Sequence, residues 1–475
     1  MKIAFGTKIS CLVLFTLSFS LYFNSLFGNF VWDDHYLIDE NPKISDPASI
    51  PHFFTKDFWI NSSVNFQSGF YRPVVLLSFF FNANLWDNNP LGFHLFNIVL
   101  HGFNGILVYL LFLSLGSRSL VAFLAGFFFV LHPIQTETVA FISDVGDILV
   151  VFFLLLSCRF YILSANSRSR KGNVFLSVLF LLLAMLSKEN AMIGFLLIAL
   201  IDWFFVSKAD GKLFQKRLPA LSLYVLATVA FIILRVAILG KNNAVTVLDN
   251  VRYVSILPAF DLWSHILTTI KIIALYLKLL VLPLELSIAY VVLPAVSLFS
   301  FDVFFAVILV LSLLILIFIC TRENKRWIAF AFAWFFLTIL PISNLIPISN
   351  TIAERFLYLP MVGYAFLLAN CVNYLREWAV KRKLGWLTFY AIFSLIIIFF
   401  SYKTITRNFI WQSDYSVFAS AADMRPCAPV AHRNLSAYYY RQKNIQNGLF
   451  EDEAYRSCVA YIQKEYLWLK GQVKK

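Results

Sequence analysis

Two adjacent carboxylates, Asp33 and Asp34, follow directly after the first long apolar run of the chain. Ionised side chains are costly at a membrane boundary unless they face water or a partner, so the pair needs a chemical reason. Mutual repulsion raises the pKa of one such carboxylate toward a value useful for a general base. The pair could therefore be a base with its electrostatic partner, a pair of metal ligands, or a solvated loop start that caps a short helix at residues 36–40.

Three further groups of charged residues stand at the ends of apolar runs. Lys188 could hold a lipid phosphate as a point charge, or could simply snorkel at the end of a span. Arg355 offers a planar guanidinium suited to phosphate, and a pair with its neighbour Glu354 is disfavoured because adjacent helical residues do not face each other. The groups are His132-Pro133-Ile134-Gln135-Thr136-Glu137 with Asp144 and Asp147; Lys188-Glu189-Asn190; and Ala353-Glu354-Arg355-Phe356-Leu357-Tyr358-Leu359-Pro360.

Two helical patterns bear on these groups. Glu137, Asp144 and Asp147 would share one face if residues 137–147 formed a single helix, although loop solvation is the alternative. A second pattern is a polar stripe at helical spacing along the predicted second span, for which hydrogen bonding between packed spans is the favoured role. The stripe consists of His94, Asn97, His101 and Asn104.

The elements that position these residues are membrane spans. Of 475 residues, 60% are hydrophobic and 14% are charged, and the mean hydropathy is +0.76. Soluble domains carry about 25% charged residues, so the chain is predicted to be an all-α polytopic membrane protein. The net charge of +13 lies in short connectors between apolar runs, which is the positive-inside pattern and argues against a nucleic-acid partner.

About eleven spans are predicted, with the N-terminus in the cytosol. Residues 28–90 form a long first external loop with short helices, and residues 403–475 form a short external helical tail, after a membrane domain that covers residues 1–402. Residues 263–283 are apolar enough to cross, but an in-plane or re-entrant placement keeps the basic connectors 322–326 and 381–383 in the cytosol. The spans are predicted near 8–27, 91–114, 119–132, 147–165, 173–187, 191–207, 218–239, 301–320, 327–342, 356–376 and 385–402.

The six cysteines and seven histidines contain no CxxC motif and no cluster with metal-ligand spacing. No metal is therefore assigned, and a divalent ion, if one binds, is predicted at Asp33 and Asp34. A Cys427–Cys458 disulfide is possible if the tail lies outside the cytosol.

Six ordered motifs resemble the transmembrane and tetratricopeptide-repeat family of protein O-mannosyltransferases, including its bacterial relatives. More distantly, the chain is similar to the C-type superfamily of polytopic glycosyltransferases. The resemblance covers about residues 10–435. The motifs are Asn29-Phe30-Val31-Trp32-Asp33-Asp34; Tyr71-Arg72-Pro73; Gly92-Phe93-His94 with Asn97 and His101; Leu131-His132-Pro133 with Thr136-Glu137 and Asp147; Ser187-Lys188-Glu189; and Ala353 through Pro360.

This resemblance implies a polyprenyl- or dolichyl-phosphate sugar as donor, with mannose as the default sugar. It implies a Ser or Thr hydroxyl of an exported protein as acceptor, and an inverting transfer on the extracytoplasmic face. The catalytic base maps onto Asp33 or Asp34, with a slight preference for Asp34, and Glu137 would orient the acceptor or the sugar.

The resemblance also assigns the remaining site residues. Arg355, Lys188 and Arg72 would bind the donor phosphate, whose developing charge needs cations. Metal dependence differs among superfamily members, so a divalent metal stays open. Supporting roles are expected for His35, His132, Asp147, Glu354 and Glu189.

The tail departs from the family pattern, because only about one helical pair resembling a first tetratricopeptide repeat follows the membrane domain. Such arrays need about three repeats for stability. Two other functions are weighed against protein glycosylation: transfer to a glycolipid or lipopolysaccharide, and a polytopic transporter or flippase. A transporter is disfavoured because the acidic residues cluster at the external rim. The bacterial inner membrane is favoured, with the endoplasmic reticulum membrane as the alternative.

Overall fold

The computed structural model describes residues 5–64, 66–166, 170–208, 210–240, 262–323, 325–345, 352–382 and 385–473. Within these ranges the regular structure is helical throughout, which agrees with the predicted all-α class. Residues 324 and 383 of the basic connectors lie outside the described residues. The α-helices are α1 (Phe5–Tyr22), α2 (Ile50–Thr55), α3 (Pro73–Trp86), α4 (Pro90–Ser114), α5 (Ser119–Leu131), α6 (Thr136–Ala140), α7 (Val145–Asn166), α8 (Arg170–Ser187), α9 (Gly194–Ile201), α10 (Gly211–Leu239), α11 (Leu262–Val281), α12 (Phe301–Arg322), α13 (Arg326–Ile339), α14 (Met361–Val380), α15 (Gly385–Ile410), α16 (Asp414–Met424), α17 (Pro429–Arg441) and α18 (Ile445–Val473).

Nine helical segments among the described residues are long and apolar enough to cross a membrane, against about eleven predicted. A tenth arises if the bent pair Ser119–Leu131 and Pro133–Ala140 counts as one span. The chain is therefore a multi-pass membrane protein. The nine are Gly6–Phe27, Pro90–Ser114, Ile142–Ala165, Arg170–Ser187, Glu189–Val206, Gly211–Leu239, Leu262–Val281, Phe301–Arg322 and Gly385–Ile410.

Three predicted spans are not among these nine, and each has a physical reason. Helix α5 has 13 residues, and the helical segment Pro133–Ala140 that follows is bent from it by 50°, so α5 by itself covers about 20 Å of a hydrocarbon core about 30 Å thick. Helix α13 is also short, with 14 residues. Helix α14 is long enough but carries Arg376 and Glu377 in its last turns.

Residues 263–283, predicted to lie in the membrane plane, fall in helix α11 up to Val281, and this helix is one of the nine candidate spans. The hydroxyl of Tyr276 on its buried face accepts a hydrogen bond from the Ala353 N–H at 3.3 Å. The helix thus reaches the segment that carries Glu354 and Arg355. The in-plane placement stays a prediction.

The polar stripe along α4 is buried, and Asn97, His101 and Asn104 hydrogen-bond to neighbouring segments. Asn104 Nδ2 donates to the Ile148 carbonyl at 3.0 Å and to the Tyr358 hydroxyl at 3.1 Å, and His101 Nδ1 lies 2.8 Å from the same hydroxyl. The predicted packing role of the stripe is confirmed for these residues. They tie α4 to the start of α7 and to the segment before α14.

The tail contains the predicted helical pair, α17 and α18, which follows α16. Helix α15 runs without a break across the predicted domain boundary at residue 402, so the division of the chain stays a prediction. Cys427 and Cys458 are both free thiols, and Cys427 Sγ lies 3.6 Å from the Cys458 carbonyl oxygen. The first loop contains α2, α3 and several single-turn helices, as predicted.

Candidate active site

Both carboxylate oxygens of Asp34 accept hydrogen bonds from other residues of the protein. Its Oδ2 accepts from the Val31 N–H at 3.0 Å, and its Oδ1 accepts from the Ser143 N–H at 2.8 Å and from the Ser143 hydroxyl. The side chain is 1% exposed. The residues after it form one π-helical turn, His35–Asp39, for which Asp34 provides no side-chain cap. The Asp34 carboxylate therefore holds the first loop against the segment before α7 and does not cap a helix.

Asp33 has the opposite environment. It is only partly buried, and its carboxylate accepts no hydrogen bond from any residue that the structure describes. Burial raises the pKa of Asp33 to about 6, although the guanidiniums of Arg355 and Arg72 oppose the shift. Burial likewise raises the pKa of Asp34 to about 7, against the effect of its hydrogen bonds to Ser143 and Val31. Of the two carboxylates, Asp33 is the one available to a substrate.

Arg355 is held next to the pair by Glu137. The Arg355 guanidinium forms an ion pair with the Glu137 carboxylate, whose Oε2 also accepts from the N–H groups of Glu354 at 2.9 Å and Arg355 at 3.3 Å. Arg355 Nε lies 4.0 Å from Asp144 Oδ1. Glu137 is fully buried, so its contacts place the arginine and leave little of the carboxylate for a substrate.

Lys188 faces two carboxylates of the segment that begins α7. Its ammonium forms an ion pair with Asp147 and lies 3.6 Å from Asp144 Oδ1. Residues 137–147 do not form the single helix that the shared-face argument required: α6 ends at Ala140, and a 3-10 turn precedes α7. Asp144 and Asp147 nevertheless both meet Lys188, because they flank the start of α7.

Arg72 completes a set of three cations. Its Nε donates to Glu189 Oε2 at 3.1 Å, and Glu189 Oε1 accepts from the Tyr71 N–H at 2.7 Å. The guanidinium lies 4.2 Å from the centre of the Phe70 ring. Glu189 thus fixes the first loop to the Lys188 segment and orients Arg72. The four predicted motifs meet in one place.

Glu354 points away from this set. Its Oε1 accepts from the Ser287 N–H at 2.5 Å and from the Tyr290 hydroxyl at 2.7 Å, and lies 3.7 Å from Arg407 Nη2. Burial raises the pKa of Glu354 to about 7, while Arg407 opposes the shift. No ion pair joins Glu354 to Arg355, as the geometry of adjacent residues predicts.

The two predicted supporting histidines have structural contacts. His132 Nε2 lies 2.9 Å from the Leu280 carbonyl oxygen, and its Nδ1 accepts from the Ile134 N–H at 3.2 Å. His35 Nε2 lies 2.9 Å from Asp414 Oδ2, and its Nδ1 lies 3.2 Å from Asp39. His132 therefore supports a turn between spans, whereas His35 supports the loop that carries Asp33.

Sequence reasoning missed three residues of the site. Ser143 anchors Asp34, Asp414 contacts the residues on both sides of the carboxylate pair, and the Trp32 ring lies 5.9 Å from the Arg355 guanidinium carbon. The Ser413-Asp414 dipeptide after the last apolar run is a helix-start signal that marks the place of Asp414 but not its partners.

A metal at Asp33 and Asp34 stays a prediction. Both oxygens of Asp34 accept hydrogen bonds from N–H or O–H donors, as the carboxylate ligands of a metal also do. Within the described part of the chain, no three His, Cys, Asp or Glu side chains are grouped so that they could hold a metal ion.

The assembled arrangement combines one accessible carboxylate with three cations, each of which is also paired with a carboxylate of the protein. A carboxylate whose pKa lies near 6 can accept a proton from a hydroxyl at neutral pH. Arg355, Lys188 and Arg72 supply preorganised positive charge that can stabilise a phosphate leaving group. The chemistry that fits is transfer of a group from a phosphate to a hydroxyl.

Comparisons with known proteins identify relatives along most of the chain. Protein O-mannosyl-transferase TMTC3 of Mus musculus is 27% identical over 467 residues, which cover 90% of this chain and 49% of the mouse protein. Protein O-mannosyl-transferase F38B6.6 of Caenorhabditis elegans is 28% identical over 440 residues, which cover 89% of this chain and 59% of the worm protein. The chain thus spans about half the length of these curated relatives. No family model matches it.

Among solved structures, the archaeal oligosaccharyltransferase AglB from Archaeoglobus fulgidus, in complex with an inhibitory peptide and a dolichol-phosphate, aligns with 95% of this chain and 59% of its own. The identity is 14% and the TM-score is 0.47.

Proposed function

We propose that this chain, a relative of the protein O-mannosyl-transferases, is a glycosyltransferase. It moves a sugar from a polyprenyl- or dolichyl-phosphate donor to a Ser or Thr hydroxyl of an exported protein. The family resemblance of the ordered motifs is confirmed by the curated relatives, whose names give both the sugar and the oxygen linkage. Mannose is accordingly the proposed sugar. The bacterial part of the resemblance stays a prediction.

The observation that carries the proposal is the contrast between Asp33 and Asp34. Asp34 is occupied by the Val31 and Ser143 donors, whereas Asp33 is accessible and lies within the electrostatic influence of Arg355 and Arg72. Asp33 is therefore the proposed base, and the slight preference for Asp34 in the sequence argument is set aside. Asp34 holds the loop that presents Asp33.

In the proposed reaction, Asp33 accepts the proton of the acceptor hydroxyl as its oxygen attacks the anomeric carbon. The bond from that carbon to the phosphate oxygen breaks, and the electron pair leaves with the lipid phosphate. Attack from the side opposite the phosphate inverts the anomeric centre. Arg355, Lys188 and Arg72 stabilise the phosphate charge, so no strong general acid is required.

Glu137 has a proposed positioning role that replaces the predicted contact with the acceptor or sugar. Its carboxylate binds the Arg355 side chain and two backbone N–H groups of the same segment. A fixed guanidinium costs no reorganisation when the phosphate charge develops. Asp147 and Glu189 act in the same way on Lys188 and Arg72.

We place the site on the extracytoplasmic face of the membrane. In the predicted positive-inside topology the first span leaves the cytosol, and the motifs that carry the site residues are predicted at the same ends of the spans that follow. The bacterial inner membrane is the proposed location, with the endoplasmic reticulum membrane as the alternative. Reporter fusions after residues 60 and 405 should both report the extracytoplasmic side.

The test is transfer from radiolabelled polyprenyl-phosphate mannose in membrane preparations that contain a Ser- and Thr-rich acceptor peptide. Asp33→Asn should abolish transfer at unchanged protein level. The matched control is Asp87→Asn, which alters an exposed first-loop residue whose left-handed backbone (φ 51°) suits asparagine. Full transfer by Asp33→Asn would contradict the proposal. Label found in glycolipid but not in the peptide would show that the acceptor is a lipid and not a protein.

A further inference from the structure

We propose that Asp414, in the first turn of the helix after the last membrane span, is a positioning residue for the Asp33–Asp34 pair. The inference rests on the proposed function for its catalytic meaning. The contacts that carry it join residues 379 and 382 positions apart, since Asp414 bonds to the residues directly after and directly before the pair.

The contacts of Asp414 enclose the pair from both sides. Its Oδ1 accepts from the Trp32 N–H at 2.8 Å, and its Oδ2 lies 2.9 Å from His35 Nε2. One carboxylate therefore bridges the two flanks of Asp33 and Asp34. Asp414 is 13% exposed and contacts neither carboxylate of the pair, so it acts through the backbone of the loop.

The backbone at Trp32 explains why such a bridge is needed. Trp32 adopts φ 57°, the left-handed conformation, which is unfavourable for an L-residue. A conformation of this kind persists only when surrounding contacts fix it. The Trp32 N–H is fixed by Asp414, and its indole stacks on Phe141 at 5.8 Å and meets the edge of Phe418 at 5.9 Å.

Helix α16 is itself seated firmly against the first loop. Ser413 and Ser416 form a reciprocal capping box at its start, and the Gln412 carbonyl accepts from the Asn29 N–H at 3.0 Å. Phe418 is buried on the same helix. Other than His35, the charged side chain that faces Asp414 is Arg441, whose Nη1 lies 3.8 Å away.

The same indole connects the loop to the proposed phosphate site. The Arg355 guanidinium carbon lies 5.9 Å from the Trp32 ring centre, and Arg355 acts electrostatically on Asp33. A shift of Trp32 would therefore move the base relative to both the acceptor and the cation. Misplacement of a reacting group by about 1 Å can cost about 100-fold in rate.

The experiment compares Asp414→Ala and Asp414→Asn in the full-length protein in membranes. Asp414→Ala removes both bonds, and kcat for sugar transfer should fall by about 10- to 100-fold with KM for the donor changed much less. Asp414→Asn keeps an oxygen for the Trp32 N–H and should recover most of that loss. Asp423→Ala is the matched control, because Asp423 is exposed on the same helix.

Amide hydrogen exchange of residues 29–39 provides a readout that does not depend on transfer. Exchange at Trp32 should rise in folded Asp414→Ala and stay near wild type in Asp423→Ala. Unchanged exchange and unchanged kcat in Asp414→Ala would overturn the inference. If wild-type protein transfers no sugar, the proposed function fails, and the exchange comparison still decides whether Asp414 positions the loop. If Asp414→Ala does not fold, His35→Ala decides, because it removes the second of the two Asp414 bonds. In that case kcat and exchange should be equal in Asp414→Asn and wild type, and exchange at Trp32 should rise in His35→Ala. No rise at Trp32 in His35→Ala would overturn the inference.

Discussion

Glu354 and Arg355 are neighbours in the chain, but their side chains bind different partners. Glu354 accepts from the Ser287 N–H and the Tyr290 hydroxyl, whereas the Arg355 guanidinium pairs with Glu137. The backbone N–H groups of both residues converge on the Glu137 carboxylate. One buried carboxylate thus fixes a short segment that presents a single cation to the site.

This arrangement predicts unequal effects of conservative changes at the two positions. Arg355→Lys keeps the charge but loses the planar fork, and the rate of transfer should fall about 10- to 100-fold, as expected when a charge-assisted hydrogen bond is lost. Glu354→Gln keeps an oxygen that can accept from Ser287 and should stay close to wild type. Initial rates at saturating donor measure both. Equal losses in the two variants would contradict the division of roles.

Asp33 and Asp34 should differ in their effect on stability. Asp34→Asn leaves one amide oxygen to serve donors that now use two carboxylate oxygens, so the free energy of unfolding should fall by about 1–3 kcal/mol. Asp33→Asn should not lower it and should raise it at neutral pH, since burial disfavours the charged carboxylate and no described residue donates to it. Thermal unfolding in detergent measures the difference. A loss from Asp33→Asn would show that Asp33 has a structural role.

The raised pKa values predict an acid limit for transfer. A base whose pKa is about 6 is charged above that pH and protonated below it, so kcat/KM should fall about tenfold for each pH unit below 6. Transfer should be nearly constant above about pH 7, where the base is ionised. The acid limb should persist in Asp34→Asn and be absent from any residual activity of Asp33→Asn. A limb that disappears only in Asp34→Asn would assign the base to Asp34.

Lys188 should be important for folding as well as for binding. It lies between Asp144 and Asp147, and removing one partner of a buried ion pair costs about 3–5 kcal/mol. Lys188→Met should therefore lower the unfolding temperature strongly, and adding Asp147→Asn should recover part of the loss. Lys56→Met, at an exposed lysine of the first loop, is the control. Full stability of Lys188→Met would contradict a stabilising ion pair between Lys188 and Asp147.

The sequence predicts the location of the site better than its internal bonds. Lys188 and Arg355 could be placed beside the carboxylates because apolar runs and basic connectors put their motifs at the same ends of the spans. The Asp34–Ser143 bonds could not be predicted, since they depend on how residues 141–144 turn between α6 and α7. That turn also breaks the helix expected over 137–147.

The bonds of Asp414 were even less accessible to sequence reasoning. A helix-start signal predicts α16 but not the loop on which it docks, because the docking depends on how α15 packs beside α1. Hydropathy detects apolar runs but does not show that α5 ends after 13 residues and that the next helical segment is bent from it by 50°.

Only residues 411–413 separate α15 from α16, so we expect bilayer thickness to influence the proposed reaction. Most of α15 lies on the outside of the bundle, and its end is tied inward by Asn408, which donates to the Leu21 carbonyl at 2.9 Å. A mismatch between an apolar helix and the hydrocarbon core is relieved by tilting, at a fraction of a kcal/mol for each ångström. Because α15 ends four residues before Asp414, tilting of this helix would move Asp414 and, through its hydrogen bond, Trp32. Protein reconstituted in lipids of graded acyl length should therefore show a kcat that peaks at one acyl length. The peak should be weaker in Asp414→Ala. A kcat of wild type that does not vary with acyl length would mean that the end of α15 is held in place however the helix tilts.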